Sequence, residues 1–85
     1  MTNKEFDLLD ELYFVTSFEE LKTALEWSTE ELFEELLSTI EKGWVKCLEK
    51  STEQEVVYTA LELGEKYTGL FFLASKKGLT EHNNK

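Results

Sequence analysis

An α+β domain, mostly helical, is what this 85-residue sequence predicts. Three observations carry that expectation. Apolar residues recur at three- and four-residue spacing in three stretches before Gly43, two of which open on a Ser-x-x-Glu pattern. After Gly43 the spacing shortens to a partial alternation rich in β-branched residues. From about Leu61 the longer spacing returns. The chain is one domain's worth of residues on the usual scale of about 100–200 per domain. A domain of this size buries only about 60–65% of its unfolded surface, so its core is modest. A hydrophobic fraction of 41% with 13% aromatics is enough to fill it.

The first helix is expected from about Asn3 to Phe14. Phe6, Leu9, Leu12 and Tyr13 line one face and Asp7, Asp10 and Glu11 the other, with Asn3 or Thr2 as cap. The second opens at Ser17, whose oxygen can accept from a free first-turn amide while Glu20 reaches back to the cap. Phe18, Leu21, Ala24 and Leu25 form its stripe, and it ends near Glu26. The third repeats the signal with Ser28 and Glu31, then places Leu32, Phe33, Leu36, Leu37 and Ile40 on one face. Gly43 stops it in the left-handed conformation that glycine adopts at no steric cost. The short link around Trp27 makes the second and third helices cross steeply.

Residues 44–50 read as a strand, 51–55 as a polar turn and 56–60 as a second strand, so a hairpin is expected. A last helix is expected over 62–75, with Leu63, Tyr67, Leu70 and Ala74 on one face; Gly64 and Gly69 weaken it. Residues 76–85 are polar and read as a frayed tail, leaving 1–75 as the domain.

Helix, short helix, helix, hairpin, helix is the order of a winged helix-turn-helix domain. The stretch SFEELKTALEWSTEELFEELLSTIEKGWVKCLEK resembles that family's second helix, turn, recognition helix and entry into the wing. ALELGEKY resembles the segment after the wing in bacterial regulators of the multidrug-resistance-repressor and phenolic-acid-repressor types, with Leu61 where a threonine often stands. The resemblance covers about residues 3–75. It implies transcription regulation, with the third helix in the DNA major groove and the wing on the backbone.

Charge argues against that use of the third helix. The chain has eighteen acidic residues and nine basic ones, all lysine, for a net charge of −9. Without arginine it lacks the usual reader of guanine edges and the best fork for phosphate. Opposite the apolar stripe of the third helix stand Glu31, Glu34, Glu35 and Glu41, which would meet phosphates as like charges. An acidic surface attracts basic partners instead. The expected function is therefore a non-enzymatic module that offers this acidic face to a basic protein. The alternative is a DNA-binding transcriptional regulator whose backbone contacts come from Lys46, Lys50, Lys76 and Lys77. A homodimer is also expected. On the wheel of a helix over 62–75, Phe72 falls outside the apolar face and Leu73 widens it, so both residues are expected at the contact between copies, as the terminal helix of the resembled regulators implies.

Other chemistry finds no constellation. His82, the one histidine, lies in the expected tail and reads as solvated rather than as a general base. Pairs such as Glu30–Glu31 sit on a convex helix surface and do not converge as a hard cation requires, so no metal is expected. The four glycines are scattered, with no phosphate loop, and no cofactor is expected. Cys47, the single cysteine, cannot form an internal disulfide and reads as an inert buried thiol. Trp27 and Trp44 read as core or turn plugs, and Phe14 is expected to pack under the wing. The acidic amino-terminal stretch does not read as a signal peptide, and the longest apolar run, 70–74, is far short of a membrane span; a cytoplasmic protein with no membrane contact is expected.

Overall fold

The computed structural model describes residues 1–84. Among them are five α-helices and a four-stranded antiparallel sheet, in the order α1 (Asn3–Glu11), β1 (Thr16–Ser17), α2 (Phe18–Leu25), α3 (Thr29–Glu41), β2 (Val45–Glu49), β3 (Glu55–Val56), α4 (Ala60–Lys66), β4 (Leu70–Ala74) and α5 (Lys76–Asn83). A 3-10 turn at Tyr67–Gly69 joins α4 to β4. In the sheet, β4 lies between β1 and β2, and β3 forms the far edge: β1-β4-β2-β3.

Both Ser-x-x-Glu signals operate as capping boxes. Ser17 Oγ accepts from the Glu20 amide and Ser28 Oγ from the Glu31 amide, while each glutamate returns a bond to its cap's backbone. The same device starts α1 at Thr2 with Glu5 and α4 at Thr59 with Glu62. Glu26 closes α2 at φ 57°, and Gly43 turns the chain out of α3 at φ 78°, where a side chain would be strained. The helices and the inner sheet face enclose one core. Leu8 and Leu9 from α1, Leu12 at its C-cap, Phe18 and Leu21 from α2, Leu32 and Leu36 from α3, and Leu63 from α4 meet Val45, Cys47, Leu70, Phe72 and Ala74 of the sheet.

The expected last helix is replaced by three elements. Residues 70–74 form a strand in which Leu70, Phe72 and Ala74 are buried while Phe71 and Leu73 are half-buried. The physical reason is pairing: β4 has strand neighbours on both sides, with Phe72 opposite Cys47 and Thr16. A run of five apolar residues suits a doubly flanked strand as well as a helix. Phe72, expected between copies, is therefore fully buried inside one chain. Leu73 lies on the other face of the strand. Enclosed in this way, Phe72 is not available for a contact between copies.

Four further expectations change. Residues 76–83 are not a frayed tail but α5, capped by Ser75, whose Oγ accepts from the Gly78 amide, and packed against α1. Lys85, the last residue of that expected tail, lies outside the described residues. His82 is buried rather than solvated. Phe14 is 81% exposed and does not pack under the hairpin. The second hairpin strand is also shorter than expected, because Thr59 ends it by capping α4.

Candidate interaction face

The carboxylates of α3 do not play one role. Glu31 is spent locally. Besides its part in the cap, its Oε2 accepts from Lys4 Nζ of α1 at 2.8 Å. The Lys4 ammonium, followed by the Ser28 backbone N–H, holds the Glu31 carboxyl below the usual range, and Glu31 in turn raises Lys4. Glu35 is half-buried, and its backbone carbonyl accepts from Thr39 Oγ1 at 2.8 Å. Glu34 and Glu41 are exposed, and so is Glu30. None of these three has an ion-pair partner among the described residues. At 100° per residue they fall within about 40° of one another on the helix. The open acidic stripe is therefore Glu30, Glu34 and Glu41, turned toward Glu30 from the face predicted. The apolar positions alone set that prediction, and the pairing of Glu31 with Lys4, 27 residues away in sequence, moved it.

The lysines are distributed differently. Lys46 is half-buried in β2. Lys50, just past its end, donates to the Thr68 carbonyl at 2.9 Å and lies over the Phe71 ring at 5.6 Å. Four residues of strand put these two lysines about 13 Å apart along β2. Lys76 and Lys77 are exposed in the first turn of α5. Lys42, which was not singled out, pairs with the buried carboxylate of Glu5 and sits over the Trp44 ring at 4.8 Å. Burial pushes the Glu5 carboxyl upward, but the Lys42 ammonium and the Thr2 backbone N–H outweigh it and leave Glu5 below its ordinary value.

His82 faces α1. Its ring stacks on Phe6 with centroids 4.1 Å apart, Nδ1 lies 2.9 Å from the Tyr13 hydroxyl, and Nε2 lies 3.5 Å from Asp10 Oδ1. Tyr13 O–H is also placed to donate to Asn83 Oδ1 at 3.0 Å. These contacts dock α5 on α1. No periodic pattern in 76–85 announces them; the readable signal was Ser75 as a helix cap. Cys47 is 5% exposed, and burial, with Glu55 nearby, lifts its thiol to about 11. Such a thiol is a poor nucleophile at neutral pH. Among the described residues no group of three or more His, Cys, Asp or Glu side chains is placed to hold a metal ion. No described helix is long and apolar enough to cross a membrane. Trp27 and Trp44 are half-buried against the core, under Lys4 and Lys42 respectively.

No protein-family model matches the chain, and neither the curated proteins nor the solved structures compared with it include a significant match.

Proposed function

We propose that the chain is a non-enzymatic winged-helix module that binds a basic protein surface through α3. The observation that carries this reading is the stripe Glu30, Glu34 and Glu41, solvent-exposed and in no ion pair among the described residues. Three clustered carboxylates raise the local concentration of cationic partners and speed their encounter. They also oppose a duplex, whose binding depends on neutralised phosphates. The order α1, α2, α3, then the β2–β3 hairpin supports a winged-helix architecture, as does Gly43 at the exit of α3. The chain departs from that plan after the hairpin, where α4, β4 and α5 stand in place of one long helix.

The alternative, a DNA-binding regulator, draws on Lys46, Lys50, Lys76 and Lys77. Lys76 and Lys77 are exposed on α5, whereas Lys50 already holds the Thr68 carbonyl. Fluorescence anisotropy with mixed-sequence duplex DNA at low salt separates the two readings. The module reading expects no binding, together with a native-cell partner that is retained by the wild type and lost from Glu30→Lys/Glu34→Lys. Submicromolar DNA binding that weakens steeply with salt and disappears in Lys46→Ala/Lys50→Ala overturns it.

A further inference from the structure

We infer that the pocket between the start of α3 and the end of α4 receives an arginine side chain of the basic partner. This inference rests on the α3 reading and adds the residue that the partner must supply. The pocket has a volume of about 210 Å³ and is lined by Thr29, Glu30, Phe33, Gly64 and Tyr67. The Phe33 and Tyr67 rings are half-buried, with centroids 5.9 Å apart and planes at 64°. Glu30 is exposed and in no ion pair among the described residues. Two aromatic rings and an open carboxylate therefore meet in one concavity.

The chain uses the same combination twice to hold a cation of its own. Lys4 Nζ lies 2.8 Å from Glu31 Oε2 and 5.3 Å from the centre of the Trp27 ring. Lys42 pairs with Glu5 and sits over the Trp44 ring at 4.8 Å. Among the described residues no lysine lies over Phe33 or Tyr67. The first turn of a helix ordinarily favours anions. Lys4 nevertheless stands at the start of α3 itself, where a carboxylate and a ring hold it.

Arginine suits this pocket for two reasons. Its guanidinium is planar, stacks on aromatic faces and is more weakly hydrated than an ammonium, so it loses less on entering a half-buried site. Its fork of N–H donors reaches a carboxylate while the plane lies against a ring. Gly64 leaves the room. A Cβ there would meet only Phe33 Cζ, at 3.8 Å, so the fold sets no steric demand for glycine inside α4, where it weakens the helix. A large side chain at that position would fill the pocket instead. The sequence contains no arginine, so a second copy of this chain cannot supply the occupant.

The test is a titration of the whole ¹⁵N-labelled chain with a short blocked peptide, one arginine flanked by glycine and serine, and with its lysine counterpart. Amide shifts are expected at 29–33 and 64–67, with the arginine peptide bound about tenfold more tightly than the lysine one. Gly64→Leu and, separately, Glu30→Gln lower the arginine affinity by about the same tenfold factor. Glu19→Gln, which removes an exposed carboxylate on α2, leaves it unchanged. Unchanged shifts away from the pocket verify the fold of each variant, and the surface change Glu30→Gln decides the matter should Gly64→Leu not fold. Three results overturn the inference. One is equal binding of the two peptides. Another is arginine-peptide shifts that follow Glu30, Glu34 and Glu41 with undiminished affinity in Gly64→Leu, which leaves the α3 reading standing. The third is no shift at 29–33 or 64–67 at millimolar peptide; the α3 reading fails with it only when 34–41 are silent too.

Discussion

Adjacent residues Phe72 and Leu73 provide a sharp test of β4. A strand sends them to opposite faces: Phe72 has no exposed surface and sits opposite Cys47 and Thr16, while Leu73 is half-buried opposite Lys46. Phe72→Ala removes a fully enclosed ring and leaves a cavity, a change that costs about 3–5 kcal/mol. Leu73→Ala deletes side-chain atoms that keep part of their water contact, and about 1 kcal/mol is expected. Against a total stability of about 4–13 kcal/mol for this length, the first change is a large fraction and the second is not. In melting temperature the Phe72 variant falls by roughly 12 °C or more, the Leu73 variant by about 4–8 °C. Urea unfolding followed by the fluorescence of Trp27 and Trp44 measures both, with circular dichroism as a second probe and the slope checked for constancy. The companion pair separates them further, since Leu73→Glu folds and Phe72→Glu does not. Equal costs for the two alanine variants, or a larger cost at Leu73, refute the strand.

Four other outcomes follow from the contacts. A Cβ at Gly78 would lie 2.1 Å from the Trp44 carbonyl oxygen, so Gly78→Ala lifts α5 and removes hydrogen-exchange protection over 76–83. Glu5 has its carboxyl lowered by Lys42 and Thr2 against the opposing push of burial. Its contribution is present above the ordinary carboxylate range and is lost as pH falls through the lowered value, so the stability gap between wild type and Glu5→Gln, measured by urea unfolding, narrows toward acid. Thr59→Ala removes the cap of α4 at a cost of about 0.5–2 kcal/mol, seen as faster amide exchange over 60–62. Cys47, with its thiol raised to about 11 by burial, reacts with a disulfide reagent at pH 8 only as fast as the chain opens, and promptly in denaturant.

The amino-terminal half was legible because its signals are local. A serine and a glutamate three residues apart contain all the groups of a capping box, and Gly43 carries its own permission for positive φ. The period of the apolar residues set the core side of α3, whereas in the first two helices the expected stripe holds only in part: Tyr13 and Ala24 are exposed, and Leu8 and Glu5 are buried instead. The acidic character of α3 was legible too. Which carboxylates remain open was not, because Lys4 reaches Glu31 from another helix.

Past the hairpin, local signals were overruled or underused. Thr59–Glu62 repeats the cap that marked α2 and α3, and it starts α4 at Ala60, at the end of the strand expected over 56–60. Residues 70–74 carry no period that separates helix from strand, since all five are apolar. Only the two flanking strands, Thr16–Ser17 and Val45–Glu49, decide the matter, by offering backbone partners on both sides. The burial of His82 is likewise a property of distant chain, since Phe6 and Asp10 of α1 and Tyr13 just past its end receive it. Sequence alone determined the helix starts, the left-handed exit at Gly43 and the sign of the surface charge, because each is written within a turn of chain or in the composition. Tertiary structure decided β4 and α5, because hydrogen bonds and packing between distant residues can choose among conformations that a short apolar or polar run permits equally.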